Sequence, residues 1–280
     1  MGSPRAHRHP TRHSTLGRTR RATRALALLV VPLALAACTG TQGPGPSQPG
    51  SSTPSASTGA PASSTGGGPA ASTSASAPPL TGPLPTFTAE ELTAAAQEIA
   101  DGHPGSRVRG DEEIQGLAAS GQQLLDGMDI TPAKCAPFMD DQNATVPTGA
   151  TIASVTIPGG SVENETYISL ASYPGPRDAA DAVSRTTALL RSCGTFTLQL
   201  GGTEGTATLK SRHAASDAES TAGYWMQVQA GGQNVASYTM SGNDGAVVVS
   251  VTTRDDTEVE IMPDDVRATL DEALTALRSR

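Results

Sequence analysis

Two periods of apolar positions organise residues 86–280. Ala179, Ala182, Val183, Thr186, Leu189 and Leu190 recur at steps of three and four and predict a helix over Pro176–Cys193, with Pro176 near its start and Gly194 just past its end. Val266, Leu270, Ala273, Leu274 and Leu277 form a second such stripe and predict a last helix from Pro263 to Arg278. Thr86–Ala100 reads as a first helix, with Thr88 as N-cap and Glu90 and Glu91 in the turn where the helix dipole favours acids. Residues 151–157 and 166–172 are rich in β-branched and aromatic side chains and flank Pro158-Gly159-Gly160-Ser161, which predicts an antiparallel pair. Further strands are expected at Phe196–Leu200, Thr206–Arg212, Gly223–Ala230, Val235–Ser241 and Ala246–Thr253. The turn segments Gly231-Gly232-Gln233-Asn234 and Gly242-Asn243-Asp244-Gly245 separate the last three and favour hairpins. Between Val108 and Met128 the apolar positions keep no clean period, so no element is predicted there, and Ile130–Cys135 reads as a short helical turn. The pattern predicts a single α+β domain: a largely antiparallel sheet with helices packed on one face.

Ahead of this domain lies a different kind of sequence. Arg18, Arg20, Arg21 and Arg24 precede an apolar run from Ala25 to Ala37, which ends in Leu35-Ala36-Ala37-Cys38. A basic segment, a short apolar segment and small residues before a cysteine make a secretory signal ending in a lipobox. The run is shorter than the roughly 20 residues a helix needs to cross the hydrocarbon core, and Pro32 interrupts it, which argues against a transmembrane span. Arg20-Arg21 is followed by Ala22-Thr23-Arg24 rather than by an apolar residue, so general secretion fits better than twin-arginine export. Cys38 is then the lipidated first residue of the mature chain, following a signal peptide at residues 1–37. Residues 38–85 are almost wholly Ser, Thr, Gly, Pro and Ala, without a charge. Such a segment cannot bury enough surface to offset its ordering entropy, so it reads as a tether with a reach of about 35 to 40 Å. Residues 86–280 then form the folded domain.

Charge narrows the partners. The chain carries 19 basic and 27 acidic residues; seven of the arginines and none of the acids precede Cys38, which leaves a mature chain strongly acidic. Such a surface repels phosphate backbones, so nucleic acid is excluded as a partner. The membrane is contacted through the lipid. Lysine is scarce, only Lys134 and Lys210, against abundant Ala, Gly, Thr and Arg, a usage that fits an actinobacterium.

With Cys38 committed to lipid, Cys135 and Cys193 remain, an even pair in an oxidising compartment, and a disulfide is expected. The competing reading, a redox or metal site, has only His103 and His213 to draw on, and they are widely separated in sequence.

Thr88-Ala89-Glu90-Glu91-Leu92, Thr131-Pro132-Ala133-Lys134-Cys135, and Tyr173 through Ala179, Ala182 and Leu190 to Cys193 together resemble the PknH-like extracellular sensor family of mycobacterial Ser/Thr kinases and actinobacterial lipoproteins. The resemblance covers most of residues 86–280. It implies a sheet with a cleft and a ligand-sensing role, the ligand undefined. The chain departs from the kinase relatives in offering one cysteine pair where they carry two, and in placing Leu190-Arg191-Ser192 where an aromatic residue often stands.

Catalytic motifs are absent from the domain: there is no Gly-x-Ser-x-Gly elbow, and Gly201-Gly202-Thr203-Glu204-Gly205 lacks the spacing and lysine of a phosphate-binding loop. The acid pairs Asp140-Asp141, Asp255-Asp256 and Asp264-Asp265 lack the alternating spacing of a calcium loop. No metal or cofactor is expected. Trp225, the only tryptophan, shares a strand face with Gln227 and Gln229, while Tyr167 alternates against Ile168 and Leu170. A polar sheet face bearing these two aromatics would line a ligand cleft, whereas the plainer reading packs Trp225 under a helix or loop. The leading expectation is a non-enzymatic, lipid-anchored binding or sensor-type domain on the outer face of the cytoplasmic membrane, with a small ligand. An envelope protein-interaction module is the alternative, and a hydrolase with an unrecognised site comes third.

Overall fold

The computed structural model describes residues 80–143, 146–147, 149–159, 164–255 and 263–280. Cys38, the signal segment and nearly all of the tether lie outside the described residues. Helix α1 (Ala89–Asp101) opens on a capping box: the Thr88 hydroxyl accepts from the Glu91 backbone N–H, and the Glu91 carboxylate accepts from the Thr88 N–H at 2.8 Å. The stretch without a clean period then forms β1 (Arg107–Arg109), α2 (Asp111–Asp126) and β2 (Met128–Thr131). Its helix was hard to see because only Ile114, Gly121 and Leu125 are buried, too thin a stripe to register as a period. One turn of 3-10 helix at Ala133–Cys135 leads into α3 (Ala136–Asn143), a short helix that the sequence did not announce and that supplies Phe138 and Met139 to the core.

Strands β3 (Thr151–Ile157) and β4 (Thr166–Ser172), helix α4 (Pro176–Ser192) and strand β5 (Thr195–Leu200) follow the predicted positions closely. Strands β6 (Thr203–Ser211), β7 (Ser220–Ala230), β8 (Gln233–Asp244) and β9 (Val247–Asp255) run longer than expected at one or both ends, before α5 (Pro263–Arg278). Among the described residues, nine strands join one antiparallel sheet in the order β1-β3-β4-β9-β8-β7-β6-β5-β2. The β7–β8 turn is Gly231-Gly232, both at positive φ, as a two-residue hairpin loop requires.

The single α+β domain stands, but its helices are divided between the two faces of the sheet rather than gathered on one. Helices α1 and α5 cover one face of the β3-β4-β9-β8 half, packing Leu92, Ile99, Leu270 and Leu274 onto Ile168, Leu170, Tyr238 and Met240. On the opposite face α4 packs Ala179 and Val183 against Ala171, Ala222 and Val248, while Phe138 of α3 meets Phe196 and Tyr224 edge-on. Strand β9 carries the reason: Val247, Val249 and Val251 enter the α1/α5 core while Val248 enters the α4 cluster. A strand covered on both sides reads as a continuous apolar run, and Val247-Val248-Val249 is one.

The folded unit also begins earlier than the composition boundary at residue 85. Leu84 is 1% exposed within the α1/α5 core, its carbonyl accepts from the Ala246 N–H at 2.9 Å, and the Leu80 N–H donates to the Arg278 carbonyl at 2.8 Å. Residues 80–87 form a strap across the β8–β9 hairpin end. Gly245 is needed there twice over, because its φ is +53° and a Cβ would collide with the Leu84 backbone.

Candidate functional site

Register decides which side chains share the α4 side of the sheet, since directly opposed residues of an antiparallel pair point the same way. One row across the strands runs Arg109, Ser154, Ser169, Ser250, Ser241. The next runs Arg107, Thr156, Tyr167, Thr252, Thr239, Tyr224, and Arg254 opposes Ser237 in the row after that. Beside the apolar patch under α4 there is therefore a floor of hydroxyls with Arg107 and Arg109 at its β1 margin and Arg254 on β9. Some hydroxyls are paired across strands, Thr239 with Thr252 at 3.0 Å and Ser241 with Ser250 at 2.8 Å. Ser154, Thr239, Ser241 and Thr252 are buried, whereas Thr156, Tyr167, Ser169, Ser250 and Arg254 are half-buried. The floor is thus buried at β8 and half-open at β4, while β3 and β9 each carry buried and half-buried positions.

Its electrostatics follow from that partial burial. Arg109 is 8% exposed, and its Nε donates to Glu113 Oε1 at 2.8 Å, so its charge is held at the sheet margin by a carboxylate one helical turn into α2. Burial pushes the Tyr167 phenol above its ordinary pKa, and the Ser154 hydroxyl and Arg109 guanidinium pull it part of the way back. Burial lowers the Arg254 pKa, with Glu165 opposing the shift. Ser154 Oγ is buried beside the Tyr167 phenol, on which it acts as a hydrogen-bonding neighbour.

Trp225 and Tyr167 do not line one cleft. Trp225 opposes Tyr238, which opposes Thr253, and so it faces the α1/α5 side, while Tyr167 opposes Thr252 on the other. Parity within each strand is visible in the sequence, but the phase between strands is set by register, which is not. Trp225 is half-buried, packs against the α1/α5 core, and carries Lys210 Nζ 4.7 Å above its ring. Cys135 and Cys193 are bonded, their Cα atoms 5.5 Å apart, in a buried cluster with Phe138 and Phe196. Neither histidine is near them in role: His103 pairs with Glu272 at 3.3 Å, and His213 contacts the Ser211 hydroxyl at 3.1 Å. That Ser–His pair is exposed at the end of β6, and among the described residues no carboxylate is bonded to His213. Among the described residues no three His, Cys, Asp or Glu side chains gather to hold a metal.

Of the acid pairs, Asp264 and Asp265 are exposed in the first turn of α5, Asp140-Asp141 lies in α3, and Asp256 of the third pair falls outside the described residues. Elsewhere a shallow recess of about 460 Å³ is lined by Asp217, Glu219, Asp244, Arg278 and residues 80–83. Its groups are engaged with one another: Arg278 donates to Asp244 Oδ2 through Nη2 at 2.8 Å and Nε at 3.1 Å, and Glu219 accepts from Asn243 at 3.2 Å. The recess is the seam where the strap meets the domain.

The fold and floor define a single-domain α+β protein with a half-open, hydroxyl-lined sheet face. No family model and no curated protein matches the chain. It is similar to the extracellular domain of PknH from Mycobacterium tuberculosis, at 13% identity and TM-score 0.46, over 68% of this chain and 97% of that one. It is also similar to a putative uncharacterized protein, the Rv0999 ortholog, from Mycobacterium smegmatis, at 18% identity and TM-score 0.41, over 67% of this chain and 96% of that one.

Sequence reasoning missed the hydroxyl floor although its signal is present. Ser237, Thr239 and Ser241 alternate with Tyr238 and Met240, and Ser250, Thr252 and Arg254 continue the same parity in β9. Arg109 lay in the stretch without a period, where nothing singled it out.

Proposed function

We propose that the chain is a non-catalytic, ligand-binding domain of sensor type, held at the outer face of the cytoplasmic membrane by lipid on Cys38. Its ligand is small and hydrogen-bonding, and lies over the floor between Tyr167 and Arg254. The observation that supports this reading is the floor itself: hydroxyls both donate and accept, guanidinium groups only donate, and together they suit a polyol or a weakly anionic guest. The signal-like segment ending at Cys38, and a cysteine pair suited to an oxidising compartment, support the extracytoplasmic address.

Thermal unfolding of the full chain in detergent, with and without a protein-free, low-molecular-weight extract of the native envelope, tests the site. The wild type is expected to melt higher in the extract, and Ser154→Ala and Thr252→Val are expected to lose that gain. An unshifted wild type, or an equal gain in both variants, overturns the assignment. Membrane fractionation of Cys38→Ser tests the address: release from the membrane is expected, and retention contradicts the anchor.

A further inference from the structure

Helix α2 joins the two margins of the sheet, since β1 and β2 stand at its opposite ends and only Gly110 and Gly127 link them to the helix. Nine strands laid flat measure about 38 Å across, whereas a helix of 16 residues is about 24 Å long. The sheet therefore bends, and α2 lies as a chord across its hollow. Register gives the side. The Glu113 carboxylate accepts from Arg109, which shares the α4 side with Ser154, and at the other end Leu125 enters the cluster of Phe138, Phe196 and Tyr224 on that same side. The hollow that α2 crosses is the one floored by the hydroxyls. We propose that α2 is a lid over that floor, fixed at both ends, whose central turns open to admit the guest and become ordered once it is bound. The inference rests on the ligand-binding reading of the floor and adds the element that regulates access to it.

The helix is tied down at its ends and loose between them. Asp111 Oδ1 accepts from the Ile152 backbone N–H at 2.9 Å, and Glu113 accepts from Arg109 Nε at 2.8 Å. Beyond that turn α2 buries two side chains, Ile114 and Leu125, whereas α5, of the same 16-residue length, buries Val266, Leu270, Ala273, Leu274, Ala276 and Leu277. Gln115, Gly116, Ala119 and Ser120 are exposed, and Leu117 and Ala118 are half-buried. Sequence weakens the same stretch. Gly116 and Gly121 lie inside α2, and no other helix among the described residues has a glycine in its interior. Against alanine, an interior glycine lowers helix population about four- to fivefold. Packing does not require it at Gly116, where an added Cβ would meet nothing within 4 Å. At the ends, Gly110 brings no side chain to cap the helix, and Asp126 stands in the last turn, where the dipole disfavours an acid. A helix so built opens locally well before the domain unfolds. Arg109 joins the lid to the floor, being bonded to Glu113 of α2 and near enough for its charge to act on the Tyr167 phenol.

Hydrogen exchange of the full chain in detergent, read by mass spectrometry, tests the lid. Peptides from residues 115–124 are expected to exchange about tenfold faster or more than those of α5, and to slow in the low-molecular-weight envelope extract while α5 is unchanged. Gly116→Ala strengthens the lid without touching the floor. In that variant, exchange of residues 115–124 without extract is expected to slow about four- to fivefold, and so is the rate at which native mass spectra gain mass from the extract. Central turns as protected as α5, or unaltered by an extract that raises the Tm of the wild type, would overturn the lid and leave the floor reading standing. Mass gained at the wild-type rate by a Gly116→Ala chain whose exchange has slowed would do the same. An extract that neither raises Tm nor slows residues 115–124 would remove the floor reading and the lid with it.

Discussion

Leu84→Ala probes where the folded domain begins. Leu84 is 1% exposed, enclosed by α1, α5 and β9, and its backbone is fastened on both sides by the β8–β9 hairpin through Asp244 and Ala246. The substitution leaves the hydrogen bonds of the strap in place and removes only buried carbon, so its cost is the transfer of those carbons to water plus the cavity left behind. Large-to-small changes of this kind cost about 2–5 kcal/mol, and in a domain of this size each kcal/mol lowers Tm by about 2–4 °C. The expected outcome is a fall in Tm of about 5–15 °C, with a lower urea midpoint at unchanged slope. Thr86→Ala, at an exposed position two residues on, is expected to stay within about 0.5 kcal/mol of wild type. A Leu84→Ala cost no larger than that of Thr86→Ala would refute the reasoning and return residues 80–85 to the tether.

Replacing Cys135 and Cys193 together by alanine frees a segment spanning 58 residues and is expected to cost about 4 kcal/mol by chain entropy, read from urea midpoints; an unchanged midpoint would contradict it. Arg278→Ala strands the Asp244 carboxylate, 5% exposed, and is expected to cost about 1–3 kcal/mol, the lower part of the range for a pair whose arginine is partly solvated. Limited proteolysis should then cut first near residues 80–85, and cleavage elsewhere would place the weak point outside the strap. Burial raises the phenol pKa of Tyr167, Tyr224 and Tyr238 above 10.0 in the folded protein. Above about pH 10 the unfolded chain therefore binds fewer protons than the native one, so their contribution is complete below that pH and is lost as pH rises through the native values. Phenolate absorbance is expected to rise together with unfolding, and its rise in a chain with unchanged circular dichroism would contradict their burial.

Periodic elements were legible and phase was not. Helix α4 and the β3–β4 pair follow from local pattern alone, and Thr88 with Glu91 marks a helix start that tertiary contacts had no need to correct. Helix α3 escaped because Phe138 and Met139 are adjacent, which no helical stripe would flag, and they matter only through partners elsewhere in the chain. The valine run of β9 held the evidence that helices lie on both faces, once its lack of alternation is taken as double burial. Trp225 and Tyr167 were each placed on the correct side of their own strand, but whether they meet depends on how β4, β9, β8 and β7 align, and no residue of either strand encodes that by itself. Leu84 looked like tether because Pro83 and Pro85 surround it, yet a single leucine with a waiting slot suffices to order a strap.

The central claim, that the hydroxyl floor holds a small ligand, is tested most directly by native mass spectrometry of the full chain exported in its own host and released gently from detergent. A reproducible extra mass beyond the lipid, lost on activation and absent from Thr252→Val, is the predicted result. A wild-type chain that carries only its lipid, and gains no mass from the envelope extract, would contradict it.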